Sequence, residues 1–150
     1  MKEFKLKEAP ASVRWFVSLV LCVMGLSYLT LLAGIWFDTN MKIAQIMEGY
    51  SSFAAMELVN HCHEYFFWFL FHFITVMTIF FFTSYSEKIK RFFAVLVPVF
   101  IVSDIGSMWL IRYVAKGFAW QLFISGLVLA ITFLSLFLLI QYDLWLKREK

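Results

Sequence analysis

Charge is scarce in this chain. Of its 150 residues only 15% are Asp, Glu, Lys or Arg, while 63% are hydrophobic, a balance outside the range of water-soluble domains. No segment is long and polar enough to fold as a separate soluble unit, so one domain over residues 1–150 is expected, with lipid as its principal solvent. Cysteine is nearly absent too. Cys22 and Cys62 fall at opposite depths of two different hydrophobic runs, which excludes an internal disulfide, and no paired-cysteine motif occurs. There is no glycine-rich phosphate loop and no serine nucleophile with histidine and acid in a credible arrangement, which argues against nucleotide-dependent and hydrolytic catalysis and leans the reading away from an enzyme. Basic residues are not interleaved with aromatics, which argues against nucleic acid as a partner despite the net charge of +3. Neither an internal repeat nor a low-complexity tract beyond a phenylalanine bias is present.

Long apolar runs fill the space these absences leave. A bilayer core of ~30 Å needs about twenty consecutive apolar residues in a helix, and four stretches meet that requirement: 13–37, 62–84, 92–113 and 118–140. The first follows a basic lead, as a signal peptide would, but it is too long, bears tyrosine and tryptophan, and has no small-residue cleavage site after it; a retained span is expected. Tryptophans fall mostly near span ends, where interface anchors sit. Short links after residues 84 and 113 make the last three spans antiparallel neighbours. The one sizeable loop, 38–60, opens on Asp38, Thr39 and Asn40, any of which caps helices well. It continues with Ile43, Ile46, Met47 and Tyr50 at helical spacing, which predicts a short interfacial helix broken near Gly49. Pro98 is expected to free a carbonyl and bend the third span.

Basic residues set the orientation. Lys2, Lys5, Lys7, Arg14, Lys88, Lys90, Arg91, Lys147, Arg148 and Lys150 fall on one side, and Lys42, Arg112 and Lys116 on the other. The expectation is an all-α, antiparallel four-helix bundle in a bacterial inner (plasma) membrane, with both termini cytoplasmic and the 38–60 loop on the periplasmic side.

All three histidines lie in one stretch, ELVNHCHEYFFWFLFHFITVMTIFFFT, residues 57–83. At ~100° per residue Glu57, His61, Glu64, Trp68, His72 and Thr75 share a narrow arc running from the wet end of the helix into its apolar middle. Counting inward at ~1.5 Å per residue from the outer ends of the spans brings His72, Asp104, Ser125 and Tyr28 into one layer. A lone carboxylate at that depth costs several kcal/mol, so Asp104 is expected to be protonated or partnered, with His72 as the natural partner. The layer then reads as a proton relay or as a buried pair that sets helix register. Two cofactor readings stand beside it. Glu57, His61 and Glu64 share a face at i, i+4 and i+7, and in a non-helical turn His61, Cys62 and His63 would converge on a transition metal. A b-type haem would need axial ligands from opposite sides: His72 with Met108 or Met24, His61 or His63 folded back from a looped entrance, or His72 from a neighbouring subunit, with Arg112 and Lys116 for the propionates. Arg112 alternatively snorkels to headgroups.

From these residues the expected function is a subunit or accessory of a membrane redox or proton-coupled complex, holding haem b or a metal or relaying protons. The alternatives are a structural or assembly subunit without cofactor, and a small oligomeric transporter or channel built on Asp104. Other membrane subunits or a second copy are the expected partners.

Overall fold

The computed structural model describes residues 4–147; the basic residues Lys2, Arg148 and Lys150 of the orientation argument lie outside them. Five α-helices follow one another: α1 Ala11–Thr39, α2 Ile43–Ser52, α3 Ala55–Phe81, α4 Glu87–Tyr113 and α5 Ala119–Trp145, with single 3-10 turns at Leu6–Glu8 and Lys116–Phe118. There is no strand among the described residues. Four of the helices, α1, α3, α4 and α5, are long and apolar enough to cross a membrane, and they pack as an antiparallel bundle in which α5 touches every other helix. Phe16, Leu26, Phe67, Val102 and Ile131 are among many large apolar side chains left on the outside, as lipid-facing surface requires.

The helix ends follow local chemistry. Asp38, Thr39 and Asn40 do not cap α2 as expected. They end α1: Asn40 adopts the left-handed conformation at φ 45° and donates its backbone N–H to the Trp36 carbonyl, and asparagine is one of few residues that tolerate that geometry. Nor does α2 break at Gly49; it runs on to Ser52 because its apolar side is held. Ile46 is buried with Leu58, Cys62, Met108, Ile111, Ala119 and Leu122, and Ile43, Met47 and Tyr50 pack against that cluster. The break falls at Phe53 and Ala54, after which α3 starts with Glu57 accepting the Ala54 N–H at 3.2 Å, half of a capping box. The helix α3 therefore begins seven residues before the apolar run that starts at residue 62. Pro98 lies inside α4, which continues through it.

The main core joins Leu21, Met24 and Tyr28 of α1, Phe69, Phe73, Val76 and Phe80 of α3, Val97 and Ile101 of α4, and Leu129, Phe133, Leu136 and Ile140 of α5. α1 is the least committed helix. Only Ser18, Leu21, Met24 and Tyr28 are buried along it, and beyond Tyr28 it exposes Trp36 and Phe37, the latter at 80%. The start of α1 and the end of α5 lie together, since Arg14 donates to the Leu144 carbonyl at 3.3 Å. That shared end carries the described basic residues of the larger set, and we refer to it as the basic end.

Candidate functional site

The α3 arc does not face the core as a block. The helix buries Leu58, Cys62, Phe69, His72, Phe73, Val76, Met77 and Phe80, so His72 alone of the arc is enclosed. Glu57 and Glu64 are exposed, as is His63, and Glu57 is occupied as the helix cap. His61 is half-buried: its Nε2 shares a 3.1 Å hydrogen bond with the Tyr50 hydroxyl, and its ring lies against Tyr50, Phe53 and Tyr65 at 4.6–5.5 Å. This holds α2 on α3. Burial, with nearby anionic groups adding to it, pushes the Tyr50 phenol well above its ordinary range. The 60–64 segment is helical, so His61, Cys62 and His63 splay apart instead of converging, and among the described residues no three His, Cys, Asp or Glu side chains form a group that could hold a metal ion.

His72 and Asp104 do not meet. Asp104, 3% exposed, accepts a hydrogen bond from Ser125 Oγ at 2.9 Å, and a Cβ at Gly126 would stand 3.5 Å from Asp104 Oδ1. His72, 1% exposed, has Nδ1 2.8 Å from the Trp68 carbonyl and Nε2 without a partner. Around it stand the rings of Trp68 at 5.4 Å, Phe71 at 5.6 Å, Tyr28 at 5.8 Å and Phe133 at 6.1 Å, and Tyr28 stacks flat on Phe133 at 4.4 Å. The expected layer of four thus divides into Asp104 with Ser125 and, deeper, His72 with Tyr28.

The cause is helix register. Cys62 Sγ lies 3.7 Å from Met108 Sδ, which makes those residues level. Asp104 is one turn below Met108, roughly 6 Å, whereas His72 is ten residues below Cys62, roughly 15 Å. The α5 partners agree: Ser125 and Phe133 are eight residues apart, roughly 12 Å. Counting from the run ends at 62 and 113 makes His72 and Asp104 level, whereas the packing sets Cys62 beside Met108, five residues before 113. The same register keeps Met108 beside Cys62 and away from His72, so those two do not form an axial pair. Met24, by contrast, belongs to the core that Tyr28 shares.

Arg112, expected at a propionate or at headgroups, is exposed and reaches the end of α2. Its Nη1 donates to the Ser51 carbonyl at the end of α2, and its guanidinium lies over the Tyr113 ring at 5.9 Å. A cation on the last carbonyls of a helix also meets the negative end of its dipole. Beside Asp104, a groove of about 490 Å³ opens between α4 and α5; in it Gln121 Nε2 donates to Ser103 Oγ at 3.1 Å, and Ser125 lines its wall.

A second buried carboxylate, beyond the 118–140 run, was missed by sequence reasoning. Asp143 is 1% exposed. Its Oδ2 accepts the Ser84 backbone N–H at 3.0 Å, its Oδ1 accepts the Ser84 hydroxyl, and Lys147 Nζ lies 3.6 Å from Oδ1. Ser18 Oγ donates to Gln141 Oε1 at 3.0 Å and accepts from Trp145 Nε1 at 2.9 Å, with Arg14 over the Trp145 ring at 5.0 Å. The available signal was the i, i+4 pairing of Asp143 with Lys147, which marks a continuing helix.

Residues 45–150 match the Aq_1264_TM family, described as a transmembrane helical domain, and the chain belongs to that family. The match starts within α2 and takes in α3, α4 and α5 but not α1. Neither curated proteins nor solved structures gave a match.

Proposed function

We propose, taking membership of a transmembrane helical family as the premise, that this integral membrane protein is a non-enzymatic subunit or accessory of a proton-coupled membrane complex. In this reading Asp104 and His72 act as two separate protonatable stations instead of one coupled pair. The observation that supports it is the state of His72: an imidazole enclosed among four aromatic rings, with one nitrogen committed to a backbone carbonyl and the other left open. A carbonyl can only accept, so Nδ1 carries a hydrogen, and in the neutral imidazole Nε2 presents a lone pair. Intramembrane ionisable groups of this kind mark proton or ligand pathways more often than they serve packing alone. Asp104 adds a carboxyl held by the hydroxyl of Ser125, which lines the Ser103–Gln121 groove. The wider setting belongs to the same proposal: an inner membrane, cytoplasmic termini, α2 at the opposite interface, and other membrane subunits or a second copy as partners.

Infrared difference spectroscopy of the reconstituted protein, titrated between about pH 4 and 9, tests this reading. A carboxyl band lost in Asp104→Asn and an imidazole band lost in His72→Phe are the expected results; absence of both bands from the native protein would sink it. The open Nε2 equally suits a haem or metal ligand. A visible absorbance band of the gently purified protein that disappears in His72→Ala would replace the proton reading with that one.

A further inference from the structure

Two shallow grooves flank α4 and both reach Phe100, the midpoint of that helix. One, already described, extends toward Ala115 and Gly117 and has only uncharged polar groups in its lining. The other, about 470 Å³, extends toward the basic end with Lys88 and Arg91 at its mouth and Phe92, Val95, Val99 and Phe100 along its length. We propose that this second trough binds an anionic phospholipid of the leaflet at the basic end, with the headgroup phosphate on Lys88 and Arg91 and an acyl chain along the apolar run.

Spacing, charge and length support this occupant. Lys88, Arg91 or Phe92, Val95 and Val99 recur every three or four residues, which puts cations and trough on one helix face. Three other cations at that end are already engaged. Lys90 pairs with Glu87 at 3.5 Å, Lys147 with Asp143 at 3.6 Å, and Arg14 with the Leu144 carbonyl. Lys88 and Arg91 make no hydrogen bond or ion pair among the described residues and are exposed, so both are free to take a phosphate, the guanidinium in bidentate fashion. From Lys88 to Phe100 the helix rises roughly 18 Å, close to half of a ~30 Å core with its headgroup margin. A transmembrane helix of a partner would have to cover the two cations, whereas a lipid leaves them at headgroup level. Basic pockets beside spans on the basic side of a membrane bind anionic headgroups by this chemistry.

Native mass spectrometry of the full-length protein with phosphatidylglycerol and with phosphatidylcholine of identical chains tests the proposal. Preferential binding of phosphatidylglycerol, weakened roughly tenfold or more in the Lys88→Gln/Arg91→Gln double variant and unchanged in Lys42→Gln/Lys116→Gln, is the expected result. Val95→Trp, which fills the trough and leaves both cations, should weaken it as well; circular dichroism confirms that each variant retains its helices. Equal binding of the two lipids, undiminished binding by the double variant, or native binding by Val95→Trp would overturn the proposal. So would a photocrosslinker at Val99 that captures a second copy of the chain and no lipid.

Discussion

Asp143 and Asp104 are both buried carboxylates, on α5 and α4, yet the protein treats them differently. Asp143 receives a backbone N–H, a hydroxyl and an ammonium group; Asp104 receives one serine hydroxyl, and His72, deeper still, leaves a nitrogen unpartnered. The difference lies in what the backbone can offer. Inside a membrane-spanning helix every N–H is taken by a carbonyl four residues earlier, so a carboxylate there depends on side chains, and its neighbours are mostly phenylalanine, leucine and isoleucine. At the basic end the chain turns between α3 and α4. The Ser84 N–H is released from helical bonding there and Asp143 takes it. Polar groups at the end of the bundle can therefore serve the architecture, while those in the middle remain available for other uses.

This contrast predicts an order of effects. Asp143→Ala should destabilise the protein most, by about 2–4 kcal/mol, because it leaves the Ser84 N–H and the Lys147 ammonium unpaired; unfolding of the purified protein in mixed micelles measures it. Asp104→Asn should cost less than about 1 kcal/mol in the same assay, since an amide retains an acceptor for Ser125 and removes an ionisable group from the interior. Equal losses in the two variants would break the comparison. His72→Phe should be tolerated within about 1.5 kcal/mol, because an aromatic ring suits the Tyr28, Trp68 and Phe133 surroundings and only the bond to the Trp68 carbonyl is lost. A loss of several kcal/mol would show that Nε2 serves the fold.

Smaller effects sharpen the comparison at the bundle ends. Arg112→Ala should loosen α2 by about 0.5–1 kcal/mol, read as faster amide hydrogen exchange over Ile43–Ser52 with α4 and α5 unchanged. The smallest expectation concerns pH. Burial, and secondarily the Asp143 carboxylate, raise the Tyr85 phenol above its ordinary value, so the folded state favours the neutral form. That contribution is fully present below the unfolded value of about 10 and is lost as pH rises through the higher folded value. Tyr85→Phe should flatten the alkaline edge of the stability profile; an identical edge would remove Tyr85 from the account.

Much of the architecture was legible before any coordinates. Run length against bilayer thickness located four helices, and helical spacing found the short α2, since both depend on local composition alone. The depth of His72 relative to Asp104 was not legible, for a specific reason. Hydropathy sees the polar NHCHE segment and stops, although Leu58 and Cys62 on its other side are already packed against Ile111 and Met108. The expected His72–Asp104 pair rested on counting from the run ends at 62 and 113. Asn40 and Arg112 were noticed but given other roles, because which helix end a polar residue serves depends on where the chain goes next.

Sequence by itself decided that this protein lives in lipid: 63% hydrophobic residues in four span-length runs allow no stable arrangement in water, and a lipid solvent forces the backbone into helices. Tertiary structure alone decided which polar groups meet. Partner choice between helices turns on register, and a shift of a few residues moves a side chain by roughly 9 Å, enough to give Asp104 a serine instead of a histidine. No property of either helix taken singly carries that information.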